Sequence, residues 1–476
     1  MAKYIAVDLG ASNGRVIVGD FSSFEVMNRF VTRNEDINGE VFWDIPYIFG
    51  EIKKGLKEAF KQFGTEISSI GIDSWGVDHA LLDSHDSLIS LPYHYRDSRT
   101  DKVFETVCMR LGTDEIFNQT GVAFNTFNTL YQLAALQQDR PSVFQAAHTY
   151  LSIPDLLNFW LTGVKANELT HASTTQMINI GTRSWAWPII DEMGFPRTLF
   201  GPIVDSRTVL GPLTVSLQHE LGADSSVQVV AVGSHDTASA VAAVPTETND
   251  FLYISSGTWS LLGTETDKPI LHPFVLESGF TNEIGANGHI RLLKNIMGMW
   301  IQQECIRYWE SMGETLSWNA LDAETLQCSG FGGVIDPLDT RFLKPNFHGS
   351  LMVDRIKDQC REKGCPIPSS KGEYMVAIYR GLADAYAKSV ANLAKLAQKN
   401  FTDLYIIGGG CKNHILNQWT ADATRLDVHA GPAEATALGN MLAQAVALAH
   451  VASFEQGRML IRKAQQITTF PARHES

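Results

Sequence analysis

Three short stretches hold side chains whose types and spacing suit chemistry. The first is Ser234-His235-Asp236-Thr237. It follows an apolar run at 227–232 and a glycine, and it precedes small helix formers at 238–243. That order predicts a buried strand, a turn at Gly233, and a helix with Asp236 on its first turn. A carboxylate there faces the positive end of the helix dipole and unpaired backbone N–H groups, which favours its ionised form. The ordinary role of such an Asp is an N-cap. Its place where the first half of the chain ends makes it a candidate for more.

The second stretch is Asp8-Leu9-Gly10-Ala11-Ser12-Asn13-Gly14-Arg15, between apolar runs at 4–7 and 16–18. Gly10 and Gly14 lack the Lys and the spacing of a P-loop. Gly10-Ala11-Ser12-Asn13-Gly14 fits the nucleophile-elbow pattern, but a helix must follow that turn and β-branched residues follow this one. The remaining reading is a hairpin that grips phosphate. Turn N–H groups form an anion nest, Ser12 and Asn13 add donors, and Arg15 adds charge. Asp8, at the strand end, suits Mg²⁺ directly or through water. The third stretch is Asp73-Ser74-Trp75-Gly76-Val77-Asp78. Asp73 and Asp78 could accept the hydroxyls of a polyol while the Trp75 ring covers its C–H face. A plain strand and turn with a core Trp fits the same residues.

The elements around these stretches alternate between strand and helix. Apolar residues at 48, 52, 56, 60 and 63 recur at helical spacing up to Gly64, and 67–72 reads as a strand. Residues 80–83 resume a strand, which predicts a second hairpin through the third stretch. Residues 93–99 are either a substrate loop or a solvated charge cluster. Residues 101–163 read mostly as helix, and the Ser/Thr-rich 167–176 as loop. The second half opens as the first does. A strand at 251–254, a turn Ser255-Ser256-Gly257-Thr258 and a strand at 259–262 predict another hairpin, with Gly257 and Thr258 facing phosphate. Later come a long amphipathic helix over 373–398, a strand at 404–407 and Gly408-Gly409-Gly410. Such glycines let a ring or phosphate approach the backbone, or simply turn the chain. A last small-residue helix begins near Pro432, and Gly439 in it permits close packing.

At 476 residues, 44% of them hydrophobic, the chain exceeds one core and predicts two. The expected class is α/β: two duplicated domains, 1–244 and 245–476, with a cleft between them. A net charge of −14 argues against nucleic acid as partner. No apolar run reaches membrane-spanning length and no signal-peptide pattern opens the sequence, so a cytoplasmic protein without membrane contact is expected. The six cysteines have no paired CxxC spacing. Free thiols are therefore expected, Cys360 and Cys365 included.

The segments VDLGASNGR at 7–15, IDSWGVD at 72–78, YRDSRT at 95–100, FNTLYQL at 127–133, SHDTASAV at 234–241, SSGTWSL at 255–261, LKNIMGMW at 293–300, GGGCKN at 408–413 and GPAEATALGN at 431–440 together resemble the FGGY carbohydrate kinases. The resemblance covers essentially the whole chain. It implies the ribonuclease-H-like core shared with actin, hexokinase and the heat-shock chaperone ATPases, and ATP with Mg²⁺ as cofactors. By match of residues it implies that Ala11, Ser12, Asn13, Gly14 and Arg15 contact ATP phosphates. It likewise puts Asp8 near the metal, Gly257 at the cofactor, Thr258 near the γ-phosphate, and Gln303 and Gly409 around the nucleotide. Gly76, His235, Thr237 and Asn295 would line the sugar pocket, with Asp236 as general base. The implied acceptor is the 1-hydroxyl of L-rhamnulose. L-fuculose or another deoxyketose or ketopentose is the alternative, and an actin-like or chaperone-like ATPase with a conformational output a remote one. Nothing in the residues distinguishes a monomer from a homodimer.

Overall fold

A computed structural model describes residues 2–248, 250–346 and 349–473. The chain forms two compact units, neither contiguous in sequence. The first comprises Met1–Glu247, Glu265–Leu292 and Ala435–Gln465; the second comprises Thr248–Thr264, Leu293–Glu434 and Gln466–Ser476.

In the first unit, Lys3–Leu9 is the centre of a six-stranded sheet. Asn13–Gly19 pairs with it antiparallel on one side, and Ile67–Ser74 pairs parallel on the other. Gln228–Ala231 continues the sheet in parallel, and Thr208–Pro212 closes that edge antiparallel. The central strands bury both faces, which explains their unbroken apolar runs. Helix Ile45–Phe63 covers one face with Ile45, Ile48, Ile52, Leu56 and Phe60. Asp44 caps its start by accepting from the Tyr47 N–H, and Gly64 ends it. Gly55 lets it sit close, since a Cβ there would lie 2.6 Å from Val16.

The second unit repeats this order. Leu252–Ser256 pairs antiparallel with Trp259–Thr266 and parallel with Asp403–Ile407. Asp427–Ala430 follows in parallel, and Thr468–Phe470 closes the edge antiparallel. Helix Lys371–Ala397 starts in a full capping box between Ser370 and Glu373. All six cysteines are free thiols. Among the described residues, no helix is long and apolar enough to cross a membrane.

Two local expectations give way, and one of the two readings of 93–99, the solvated cluster, goes with them. Strand His79–Leu82 does not fold back on Ile67–Ser74; it pairs with Thr149–Ser152. The turn between them is anchored from elsewhere: Val77 has a φ of 68°, and its carbonyl accepts from the Thr129 hydroxyl at 2.6 Å. The Ser/Thr-rich stretch holds a short helix, Leu169–Ala172, and is buried throughout. Its hydroxyls bond the backbone locally, as Ser173, Thr174 and Thr175 do to Thr170, His171 and Ala172. The 93–99 loop packs inward too. Asp97 accepts from the Val41 N–H at 2.8 Å, and the Arg99 guanidinium lies 3.8 Å from the Tyr93 ring centroid.

Candidate active site

Three strands of the first unit run parallel, so their carboxyl ends share one edge of the sheet. Open parallel sheets bind ligands at that edge. Asp8 and Asp73 are register partners there. The Ser74 N–H donates to the Ser234 carbonyl at 2.8 Å, which draws the loop after Ala231 to the same place. Along 231–240 every residue is buried except Asp236, and along 71–80 every residue except Gly76. The interior therefore opens to solvent at these two positions.

Asp236 is the first residue of helix Asp236–Ala242, and the cap position belongs to His235. Its side chain therefore does not close the helix end. Oδ1 accepts from the Thr237 hydroxyl at 3.0 Å and lies 3.6 Å from His235 Nε2. With the side chain about a third exposed (32%), this is an acidic group aimed outward from a buried setting.

His235 is held from behind. Its Nδ1 lies 3.2 Å from Glu283 Oε2 and 3.2 Å from an Arg291 guanidinium nitrogen. Arg291 is fully buried and donates to Glu283 at 2.9 Å. Burial pushes the Glu283 carboxyl up, but Arg291 and His235 outweigh it and hold the group below the usual carboxylate range. Beneath the loop, Glu168 accepts from the backbone of Thr170, His171 and Ser234. Burial pushes its carboxyl up to about 7 and that of neighbouring Asp155 up to about 8.

The 73–78 stretch divides by role. Asp73 is wholly buried, and burial followed by the Asp8 carboxylate pushes its carboxyl well up. One of its oxygens accepts from Asn440 at 2.6 Å; the other has no hydrogen-bond partner. Asp78 accepts from Trp43, Trp75, Gln132 and the Tyr95 N–H. The Trp75 ring lies 4.1 Å from that of Trp43, tilted by 34°, and is 5% exposed. The structure thus favours strand and turn with a core Trp over sugar contacts for Trp75 and Asp78. Gly76 is different. A Cβ there would lie 3.3 Å from His235 Nε2 and 3.4 Å from Thr174 Oγ1, so the glycine keeps that space open.

The first hairpin turns at 10–12, with Ser12 and Asn13 exposed at its tip. Thr32 pins it by donating its hydroxyl to the Gly10 carbonyl at 2.7 Å. Arg15 pairs with Asp8. Gly14 has no room for a side chain, because a Cβ would lie 2.6 Å from the Phe30 ring.

In the second unit, the turn at 257–258 leaves Gly257 exposed and Thr258 half-buried. The N–H groups of Gly298 and Trp300 donate to the Thr258 carbonyl, which seats the start of helix Trp300–Ser311 on the turn. Gln303 is exposed on that helix and Asn295 is half-buried on the strand before it. Gly410 packs on the same turn, where a Cβ would meet Ser256 Oγ at 1.9 Å, whereas Gly409 has open space around its Cβ position. Close packing thus requires a glycine at 410 but not at 409.

A divalent cation can be tested against these groups. Among the described residues, no cluster of three or more His, Cys, Asp or Glu side chains is built to hold a metal. Mg²⁺ needs no such cage, since one or two carboxylates with water and phosphate oxygens suffice. Asp8 beside the unpartnered oxygen of Asp73 meets that requirement.

Glu283, Arg291, Glu168 and Asn440 escape sequence reasoning. Nothing local in the sequence says which partner each of them meets.

Comparison with known proteins identifies the family. The models of the FGGY family of carbohydrate kinases match residues 3–243 for its N-terminal domain and 252–448 for its C-terminal domain. The chain is 42% identical over 460 residues to a rhamnulokinase of Halalkalibacterium halodurans, covering 96% of each chain. It is 38% identical to a rhamnulokinase of Bacteroides thetaiotaomicron, covering 98% of this chain and 95% of the relative. Among solved structures, a ligand-bound xylulose kinase from Lactobacillus acidophilus superposes with a TM-score of 0.83 at 17% identity, covering 99% of this chain and 94% of the other. A Plasmodium falciparum glycerol kinase with ADP gives 0.80 at 15% identity, with the same coverage.

Proposed function

This chain belongs to the FGGY family of carbohydrate kinases, and we propose that it transfers the γ-phosphoryl group of ATP to the 1-hydroxyl of L-rhamnulose. The product is L-rhamnulose 1-phosphate, a step in L-rhamnose breakdown. The observation that carries the chemistry is the Asp236 carboxylate, the one opening in a buried loop at the carboxyl edge of the sheet. The choice of sugar is supported by relatives named rhamnulokinases at 38–42% identity over nearly the full length.

In this reading Asp236 accepts the proton of the 1-hydroxyl as that oxygen attacks phosphorus. Its basicity need not be high, because a loose phosphoryl-transfer transition state releases the proton late. Gly76, His235, Thr237 and Asn295 orient the sugar. Residues 11–15 together with Gly257 and Thr258 offer N–H, hydroxyl and guanidinium donors to the phosphates, and Gln303 and Gly409 border the nucleotide. Mg²⁺ bound at Asp8, with Asp73 behind it, would neutralise charge on the phosphate oxygens.

The test is ADP release over a panel of L-rhamnulose, L-fuculose, L-xylulose, D-ribulose, D-xylulose and glycerol. The expected result is a kcat/KM for L-rhamnulose at least about tenfold above any other, the value of one well-placed hydrogen bond. Higher efficiency with another ketose corrects the sugar. ADP release that no sugar stimulates overturns the kinase reading.

A further inference from the structure

Behind His235 lies a buried pair that the chemistry above does not use. Arg291 and Glu283 both reach His235 Nδ1, at 3.2 Å each, and they bind each other at 2.9 Å. Which of them Nδ1 bonds decides what the other ring nitrogen can do. A guanidinium only donates. If Nδ1 were bare and accepted from Arg291, its lone pair would also face the Glu283 oxygen at 3.2 Å. If Nδ1 carries hydrogen, His235 and Arg291 donate to the same Glu283 oxygen, and the second hydrogen on that Arg291 nitrogen reaches the Ile284 carbonyl at 3.4 Å. The first arrangement sets a lone pair against a carboxylate oxygen; the second turns that repulsion into a hydrogen bond to a charged acceptor.

We propose that Glu283, oriented by Arg291, fixes His235 in the tautomer protonated on Nδ1, so that Nε2 accepts a hydrogen bond from the C3 hydroxyl of the acceptor ketose. This rests on the sugar kinase reading and makes Glu283 a positioning residue for sugar recognition. Nε2 is 3.6 Å from Asp236 Oδ1, so the two acceptors serve neighbouring hydroxyls of one small molecule. Asp236 takes the 1-hydroxyl. In a 2-ketose, C2 bears a carbonyl with no proton to give, so the next donor along the chain is the C3 hydroxyl. The opposite tautomer would turn an N–H toward Asp236 Oδ1 and leave no acceptor on His235 for the sugar. Gly76 keeps Nε2 uncovered, because a Cβ at that position would stand 3.3 Å from it.

The test begins with the full chain labelled with ¹⁵N-histidine, His235 being assigned by the signals lost in His235→Asn. Long-range ¹H–¹⁵N correlation reads which ring nitrogen carries hydrogen. Hydrogen on Nδ1 is expected; hydrogen on Nε2 alone overturns the proposal even if L-rhamnulose is phosphorylated. Glu283→Gln, whose amide can also donate, should populate the other tautomer. It should raise the ketose KM about tenfold and leave the KM for ATP unchanged. It should also narrow the wild-type preference for L-rhamnulose over its 3-deoxy analogue. An unchanged ketose KM, or a rise in both KM values as from a damaged fold, overturns it. Absence of turnover with every ketose overturns the kinase reading and the C3 contact together. The wild-type tautomer measurement separates that outcome from failure of the role given to Glu283.

Discussion

The proton-accepting role proposed for Asp236 rests on one atom pair, so its loss should be read in turnover. Asp236→Asn keeps the shape of the side chain and the start of the helix but removes the base. We expect kcat to fall by about two to four orders of magnitude with the ketose KM changed little, measured by coupled ADP release. A variant within tenfold of wild type would sink the assignment. A second prediction concerns Asp155 and Glu168, whose burial raises them to about 8 and about 7. Folded carboxyls with raised values hold protons that the unfolded chain releases from about pH 4 upward. Their contribution to stability is therefore full at low pH and declines as pH rises to about 8. Denaturant midpoints should fall over that window, and Asp155→Asn should flatten the fall. At this scale Asp8, Asp236 and the hairpin tip were legible, because a strand end followed by a turn is a local pattern. The partners Glu283 and Arg291 were not, since they lie 48 and 56 residues from His235.

Helices of small residues owe their place to what they lack. Helix Ala435–Ala447 packs on helix Asp236–Ala242, and a Cβ on Gly439 would stand 1.7 Å from the Ser239 carbonyl oxygen. No rotamer relieves a clash with backbone, so Gly439→Val should cost on the order of 3 kcal/mol. Gly50, inside helix Ile45–Phe63, has no atom within 4 Å of its Cβ position. There Gly50→Ala should stabilise by roughly 0.5–1 kcal/mol, as helix propensity alone dictates. Chemical denaturation of both variants checks the contrast. The need for a small residue at Gly439 showed in the sequence; the partner did not. Neither did the polar side of the same helix, where Asn440 reaches Asp73 and Gln444 reaches Ser69 and the Ile5 carbonyl. Gly71 makes room for both amides, so a glycine inside a strand was the trace they left.

Across the molecule one plan occurs twice: a central strand, an antiparallel hairpin partner, two parallel strands and an antiparallel edge. The two hairpin openings betrayed the duplication in the sequence, because a glycine-rich turn between apolar runs reads the same in either half. The division of the chain was harder to read, since Ala435–Gln465 packs within the unit that Met1–Glu247 begins. That feature carries a consequence for biosynthesis. Asp73 and Asn440 are 367 residues apart, and Arg458 donates to the Val241 and Ala242 carbonyls. A ribosome has released the whole first sheet long before it makes helix Ala435–Ala447, which packs against Gly71 on it. The nascent sheet must wait with Gly71 bare and with the Asp73 carboxyl and the Ile5 carbonyl lacking their partners Asn440 and Gln444, a substrate for holding chaperones. A fragment of residues 1–247 should therefore bind apolar dyes and lack a cooperative thermal transition, while addition in trans of residues 435–465 restores part of one.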